Sequence, residues 1–147
     1  MKKVLILTVS AFILNSCGTP SLYYWGGEKL DGTTNYENLA YKDYKSQTPD
    51  ALCKLIYLYE DMVSNPGGTR SVPPPGICAE YGYLLLLPET ADTFSENATY
   101  KQRNLFSGTD YGEIFYERGK EMLEKEIEYY PESKQFIEPL IKKLTEQ

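Results

Sequence analysis

The chain reads as all-α, about five helices in antiparallel hairpins behind a short apolar leader. Apolar residues recur at i, i+3, i+4 and i+7 in separate stretches, the spacing of one helix face. The stretches open on capping residues such as Thr48 and Asp110, and they stop at Pro88, Pro131 or the Asn65-Pro66-Gly67-Gly68 run. No segment alternates apolar and polar residues convincingly enough to compete as a strand.

The leader comes first. Met1-Lys2-Lys3 precedes the apolar run Val4 to Leu14 and then Leu14-Asn15-Ser16-Cys17. A basic start, an apolar stretch and small residues before a cut describe a secretory signal peptide over residues 1–16. The run falls short of the roughly 20 apolar residues that a membrane-spanning helix needs. Leu, Ser and Cys at −3, −1 and +1 resemble the lipobox of bacterial lipoproteins, in which Cys17 is lipidated and becomes the new N-terminus; Asn15 is a less usual −2 residue. Residues 17–32 then form a lipidated tether, broken by Gly26-Gly27. Residues 33–147 form one helical domain.

Thr34 and Glu37 make a capping box that opens a helix over about 34–46, with Tyr36, Leu39, Ala40, Tyr41 and Tyr44 on its apolar side. Thr48-Pro49-Asp50 supplies a cap, a proline that loses no bond and an acid at the positive end of the dipole, so the second helix spans 49–63. Leu52, Leu55, Ile56, Tyr59, Met62 and Val63 form its stripe. Val72-Pro73-Pro74-Pro75 predicts an extended polyproline strut. The third helix, about 75–87, is apolar almost all round, as suits the buried centre of a domain, with Glu80 its only charge. Residues 88–108 read as a long polar excursion with room for a short helical turn. A fourth helix runs from Asp110 to Tyr130 and a fifth starts at Glu132-Ser133, where Pro139 predicts a kink or a break.

Loss of the leader takes 16 of the 147 residues and two lysines, leaving 131 residues with 13 basic and 21 acidic side chains, a net charge of −8. Such a chain repels nucleic acid and anionic headgroups, so membrane attachment must come from the lipid, which holds firmly when two or more acyl chains are present. Gly18, where Asp would signal inner-membrane retention, points to the outer membrane, and the lack of acidic residues directly after Cys17 points to its periplasmic face. Cys53 and Cys78 would meet an oxidising compartment. In a simple helical hairpin they are offset by about 10 Å along the axes, beyond the roughly 7 Å that a bridge allows. Two buried thiols are therefore preferred to a disulfide.

The chain contains no histidine, nucleophile elbow, phosphate-binding glycine loop or zinc-type cysteine spacing, so no catalytic residue, metal site or cofactor is expected. Glu117, Glu121, Glu124 and Glu128 stand among lysines at helical spacing and read as a solvated face. Glu80 calls for a partner or a shifted pKa, and a buried structural pair is preferred to catalysis. Tyr23, Tyr24 and Trp25, six to eight residues beyond Cys17, allow two readings. They seat at the membrane interface or dock a partner, or they cover the open end of the first helix pair. The 14 tyrosines fit interhelical packing, a protein contact surface or a saccharide-stacking platform.

Gly119, Leu123, Ile127 and Pro131 follow the second helix of a tetratricopeptide unit, and Tyr81-Gly82 with Leu85 matches the first helix loosely. The lipobox at Cys17, Tyr23-Tyr24-Trp25-Gly26-Gly27, Pro74-Pro75-Gly76 before Ala79-Glu80-Tyr81-Gly82-Tyr83-Leu84, and Tyr130-Pro131-Glu132-Ser133 with Phe136 together resemble the small bacterial lipoproteins grouped as domain of unknown function 4810. The resemblance covers most of the mature chain. It implies a tetratricopeptide-like fold and an envelope lipoprotein similar to the curli secretion channel as partner. It carries no catalytic residues. Residues 88–112 exceed that family's usual inter-helix link, and Pro139 interrupts its last helix. The expected function is that of a non-catalytic interaction or assembly module in the outer membrane, with an envelope glycan-binding module as the alternative.

Overall fold

The computed structural model describes residues 20–43 and 48–145. Cys17, with the leader, and Tyr44 lie outside them. A short helix α1 (Asn35–Glu37) passes directly into a π-helical stretch (Asn38–Asp43), followed by α2 (Pro49–Ser64), α3 (Ile77–Leu85), α4 (Thr90–Asn97), α5 (Tyr100–Arg103), α6 (Tyr111–Tyr129), a 3₁₀ turn (Pro131–Ser133) and α7 (Lys134–Thr145). Among the described residues the only strand-like pairing is one antiparallel bridge between Glu28 and Thr34. The fold is all-helical, as the periodicity predicts.

The caps work as the sequence implies. The Thr34 hydroxyl accepts the Glu37 amide while the Glu37 carboxylate accepts that of Thr34. The Thr48 hydroxyl accepts the Ala51 amide with Pro49 at the first helical position, and Asp110 accepts the Glu113 amide. Beyond Glu37 the regular helix does not continue as expected. Buried Asn38 donates its side-chain amide to the Thr33 hydroxyl and to the Thr34 carbonyl, which also accepts the Asn38 backbone amide, and from Asn38 onward the turns take π geometry.

α3 lies at the centre, packed between α2 and α6. Its crossing with α6 is made at Gly82 and Gly119. A Cβ on Gly82 would stand 2.7 Å from the Gly119 carbonyl, and one on Gly119 would stand 2.7 Å from Leu86 Cγ. Both backbones can approach because neither residue has a side chain there. Ile56, Met62, Ile77, Tyr81 and Leu123 fill the interior.

The expected polar excursion departs most from the reading. Residues 90–103 fold into two further helices, α4 and α5. Phe94 explains the first: it is fully buried and meets Phe106, Tyr111 and Phe115 edge-on at 5.1–5.6 Å. The buried Thr90 hydroxyl ties α4 back to the Leu84 carbonyl. A Thr99–Gln102 capping box explains the second. In α7, Pro139 does not break the helix. Pro139 and Gln135, whose carbonyl loses its donor, are both exposed, so water can satisfy that carbonyl.

Residues 21–28 are laid along the helices. The Thr69 and Arg70 amides donate to the Ser21 and Leu22 carbonyls, and the Asn35 amide donates to Gly27. Gly26 is buried with φ +76°, and a Cβ there would overlap Leu58. Among the described residues no helix is long and apolar enough to cross a membrane.

Candidate functional site

A concavity walled by tyrosines is built on the open stripe of the buried helix. Glu80 and Tyr83, three residues apart on α3, share a face. Opposite them stand Leu55 and Tyr59 from α2, Tyr36 from α1, and Ala40 and Tyr41 from the π-helical stretch. With Leu84 and Leu87 they enclose a cleft of about 240 Å³. Tyr36 and Tyr59 form its floor, 7% and 4% exposed, whereas Tyr41 and Tyr83 stand in its walls at 59% and 45%. The Tyr36 and Tyr41 rings meet edge-on at 6.0 Å and 82°, and Tyr36 and Tyr59 are tilted at 6.2 Å. The rings thus form corners rather than one flat platform.

Glu80 anchors the floor. Both the Tyr36 and the Tyr59 hydroxyls donate to its Oε2, at 2.7 and 2.8 Å, and its Oε1 has no hydrogen-bond donor among the described residues. Burial, then the hydrogen bond to Glu80 and its charge, push the Tyr36 hydroxyl far up, so it remains a proton donor at ordinary pH. The expected partners are therefore present, but the expected burial is not: Glu80 is exposed. A helix that is apolar by composition thus leaves Glu80 and Tyr83 open to solvent on one stripe.

The three aromatic residues next to the lipobox separate in space. Tyr23 accepts a hydrogen bond from Arg70 Nη1 at 3.0 Å, and that guanidinium also lies 5.8 Å from the ring centroid. Tyr24 donates to Asp61 at the end of α2, at 2.9 Å, and burial raises its pKa. Trp25 packs on Tyr36 at 5.3 Å and lines a second hollow of about 290 Å³ with Thr34, Tyr36, Glu37 and Tyr41. The two hollows share Tyr36 and Tyr41. Trp25 thus lies behind the cleft floor, in the adjoining hollow, while Tyr23 and Tyr24 cover the end of α2 and the loop after it.

Glu117, Glu121, Glu124 and Glu128 are all exposed, as a solvated face requires. Among the described residues two other carboxylates are buried, Glu60 and Glu126. Glu60 accepts from Arg118 Nη2 and Nε at 2.7 and 3.2 Å, from Tyr81 at 2.8 Å and from Ser64 at 2.6 Å, which joins α2, α3 and α6. Glu126 of α6 reaches the start of α3, where Gly76 supplies no side-chain cap, and accepts the Gly76 and Ala79 amides at 2.8 and 3.3 Å. Burial raises its pKa, and the amide bonds oppose that shift. Both carry a sequence signal. Glu60 falls four residues after Ile56 and Glu126 four after Met122, inside the apolar stripes rather than opposite them.

Cys53 and Cys78 are free, buried thiols, the preferred of the two readings. Burial pushes the Cys78 thiol up to about 12 and raises that of Cys53 as well. Among the described residues no group of histidine, cysteine or acidic side chains could hold a metal ion. Comparison with known families finds no matching family model, and neither a characterised protein nor a solved structure proves similar to the chain.

Proposed function

We propose that this protein is a lipid-anchored module of the outer membrane that binds and helps assemble other envelope proteins and catalyses no reaction of its own. Cys17 carries the lipid, and the helices form a tetratricopeptide-like unit. The observation that carries the reading is the tyrosine-walled cleft at the junction of α1, the π-helical stretch, α2 and α3. It stands on a packed scaffold and offers exposed rings of the kind that dominate protein contacts. Glu80 is the one carboxylate lining it among the described residues, where glycoside hydrolysis needs two. The lipobox and the resemblance to the lipoprotein family described above favour an envelope partner similar to the curli channel.

The test is a photo-crosslinking residue placed at Tyr83, activated in cells, with capture from solubilised membranes beside a Cys17→Ala control. Recovery of one envelope lipoprotein in fixed proportion, lost in the control, is expected. Recovery of glycan without protein would replace this reading with saccharide binding.

A further inference from the structure

Resting on the reading of the cleft as a docking site, we infer that it takes a lysine side chain from the partner polypeptide. Four tyrosines surround one carboxylate. Two of them donate to Glu80 Oε2 and so fix its position, while Oε1 is left for a donor from outside. The perpendicular packing of Tyr36 and Tyr41 presents ring faces from different directions, the geometry in which aromatic quadrupoles attract a cation held within about 6 Å. No basic side chain lines the cleft among the described residues, and the chain as a whole is acidic.

The occupant follows from size and from the carboxylate. At about 240 Å³ the cleft is smaller than the roughly 300–1,000 Å³ of pockets that hold a whole small molecule, so one side chain suits it better than a sugar chain. An arginine fork would want both carboxylate oxygens, and Oε2 already accepts two hydroxyls. An ammonium group, a compact charge on a four-carbon stem, needs only Oε1, and its stem can lie along Leu55, Leu84 and Leu87. The adjoining hollow beside Trp25 would then receive a neighbouring residue of the same polypeptide.

The test is a nuclear magnetic resonance titration of the full chain in detergent micelles with Nα-acetyl-lysine methylamide, following the ring signals of Tyr36, Tyr41 and Tyr83. A saturable shift that weakens with added salt is expected. Glu80→Gln, which keeps an acceptor for the two hydroxyls, should weaken binding about tenfold, the loss of a charge-assisted hydrogen bond. Tyr83→Ala removes a half-exposed ring and should weaken binding with an unchanged melting curve. An equal response to the norleucine analogue, which has no charge, would overturn the proposal. Tighter binding of the arginine analogue would overturn it too, as would an equal response to ethanolamine, whose amine sits on only two carbons. The two readings fail separately. A partner crosslinked at Tyr83 without lysine binding sinks this inference alone, whereas lysine binding without any crosslinked partner sinks the docking role.

Discussion

Glu126 stands where a capping side chain would stand if α3 had one of its own. Gly76 has φ +88° and contributes none, so the amides at the start of the helix depend on a carboxylate fifty residues further along the chain. Glu126→Ala should lower unfolding stability by about 1–3 kcal/mol in urea titrations, the cost of unpaired buried donors. The pH dependence has a definite sign. The folded-state pKa of Glu126 is raised, so its titration favours the fold most below the ordinary carboxylate range, and that contribution is lost as pH rises through the raised value. The stability of the native chain relative to Glu126→Gln should therefore be greatest in acid and shrink towards neutral pH; a difference growing with pH would contradict the assignment. The cysteines offer a second check. With the Cys78 thiol at about 12 and Cys53 buried beside the core, iodoacetamide at neutral pH should label neither in the folded chain and both in denaturant. Helix caps written in adjacent residues, at Thr34, Thr48 and Asp110, were legible in the sequence. The cap at Gly76 was not, because its two halves are distant and meet only once α3 and α6 cross.

At the scale of elements, the two-glycine crossing of α3 and α6 sets how deeply the central helix can sit. In a solvated helix, glycine to alanine would stabilise by roughly 0.5–1 kcal/mol. The added methyl would stand 2.7 Å from the Gly119 carbonyl at Gly82, and 2.7 Å from Leu86 Cγ and 3.0 Å from the Gly82 carbonyl at Gly119, so each substitution should instead destabilise, by about 1–3 kcal/mol. A gain in melting temperature for either would mean that the helices can part without loss. Gly119 was readable as a contact glycine from its place in the repeat-like pattern, whereas α4 and α5 were not readable as helices. Their spans are short, and what holds α4 is one buried ring, Phe94, that joins residues 106, 111 and 115. Apolar periodicity needs several turns to register, and a single aromatic anchor leaves none. The π stretch was hidden for a similar reason, since six residues carry too few apolar positions for their period to be read.

Across the whole molecule, the Glu60–Arg118 pair ties three helices together, and Arg118 also reaches Glu121 at 2.7 Å. Arg118→Ala would leave Glu60 with only Tyr81 and Ser64, so a loss of about 2–3 kcal/mol is expected. That is short of the effect at a fully buried pair, because Arg118 keeps 23% of its side chain in solvent. Chemical denaturation of Arg118→Ala, Glu60→Gln and the double variant measures it, and a double variant no worse than Arg118→Ala alone would show that the uncompensated carboxylate causes the loss. From Tyr81 the aromatic contacts run through Tyr59 and Tyr36 to Trp25. Trp25 is the chain's one tryptophan, and it lies on the ring that forms the floor of the cleft. The molecule therefore carries its own optical gauge. Indole emission reports detachment of residues 21–28 or movement of Tyr36 in one colour, while circular dichroism follows the helices. Peeling of the N-terminal strap can thus be timed apart from melting of the body to which it is fastened.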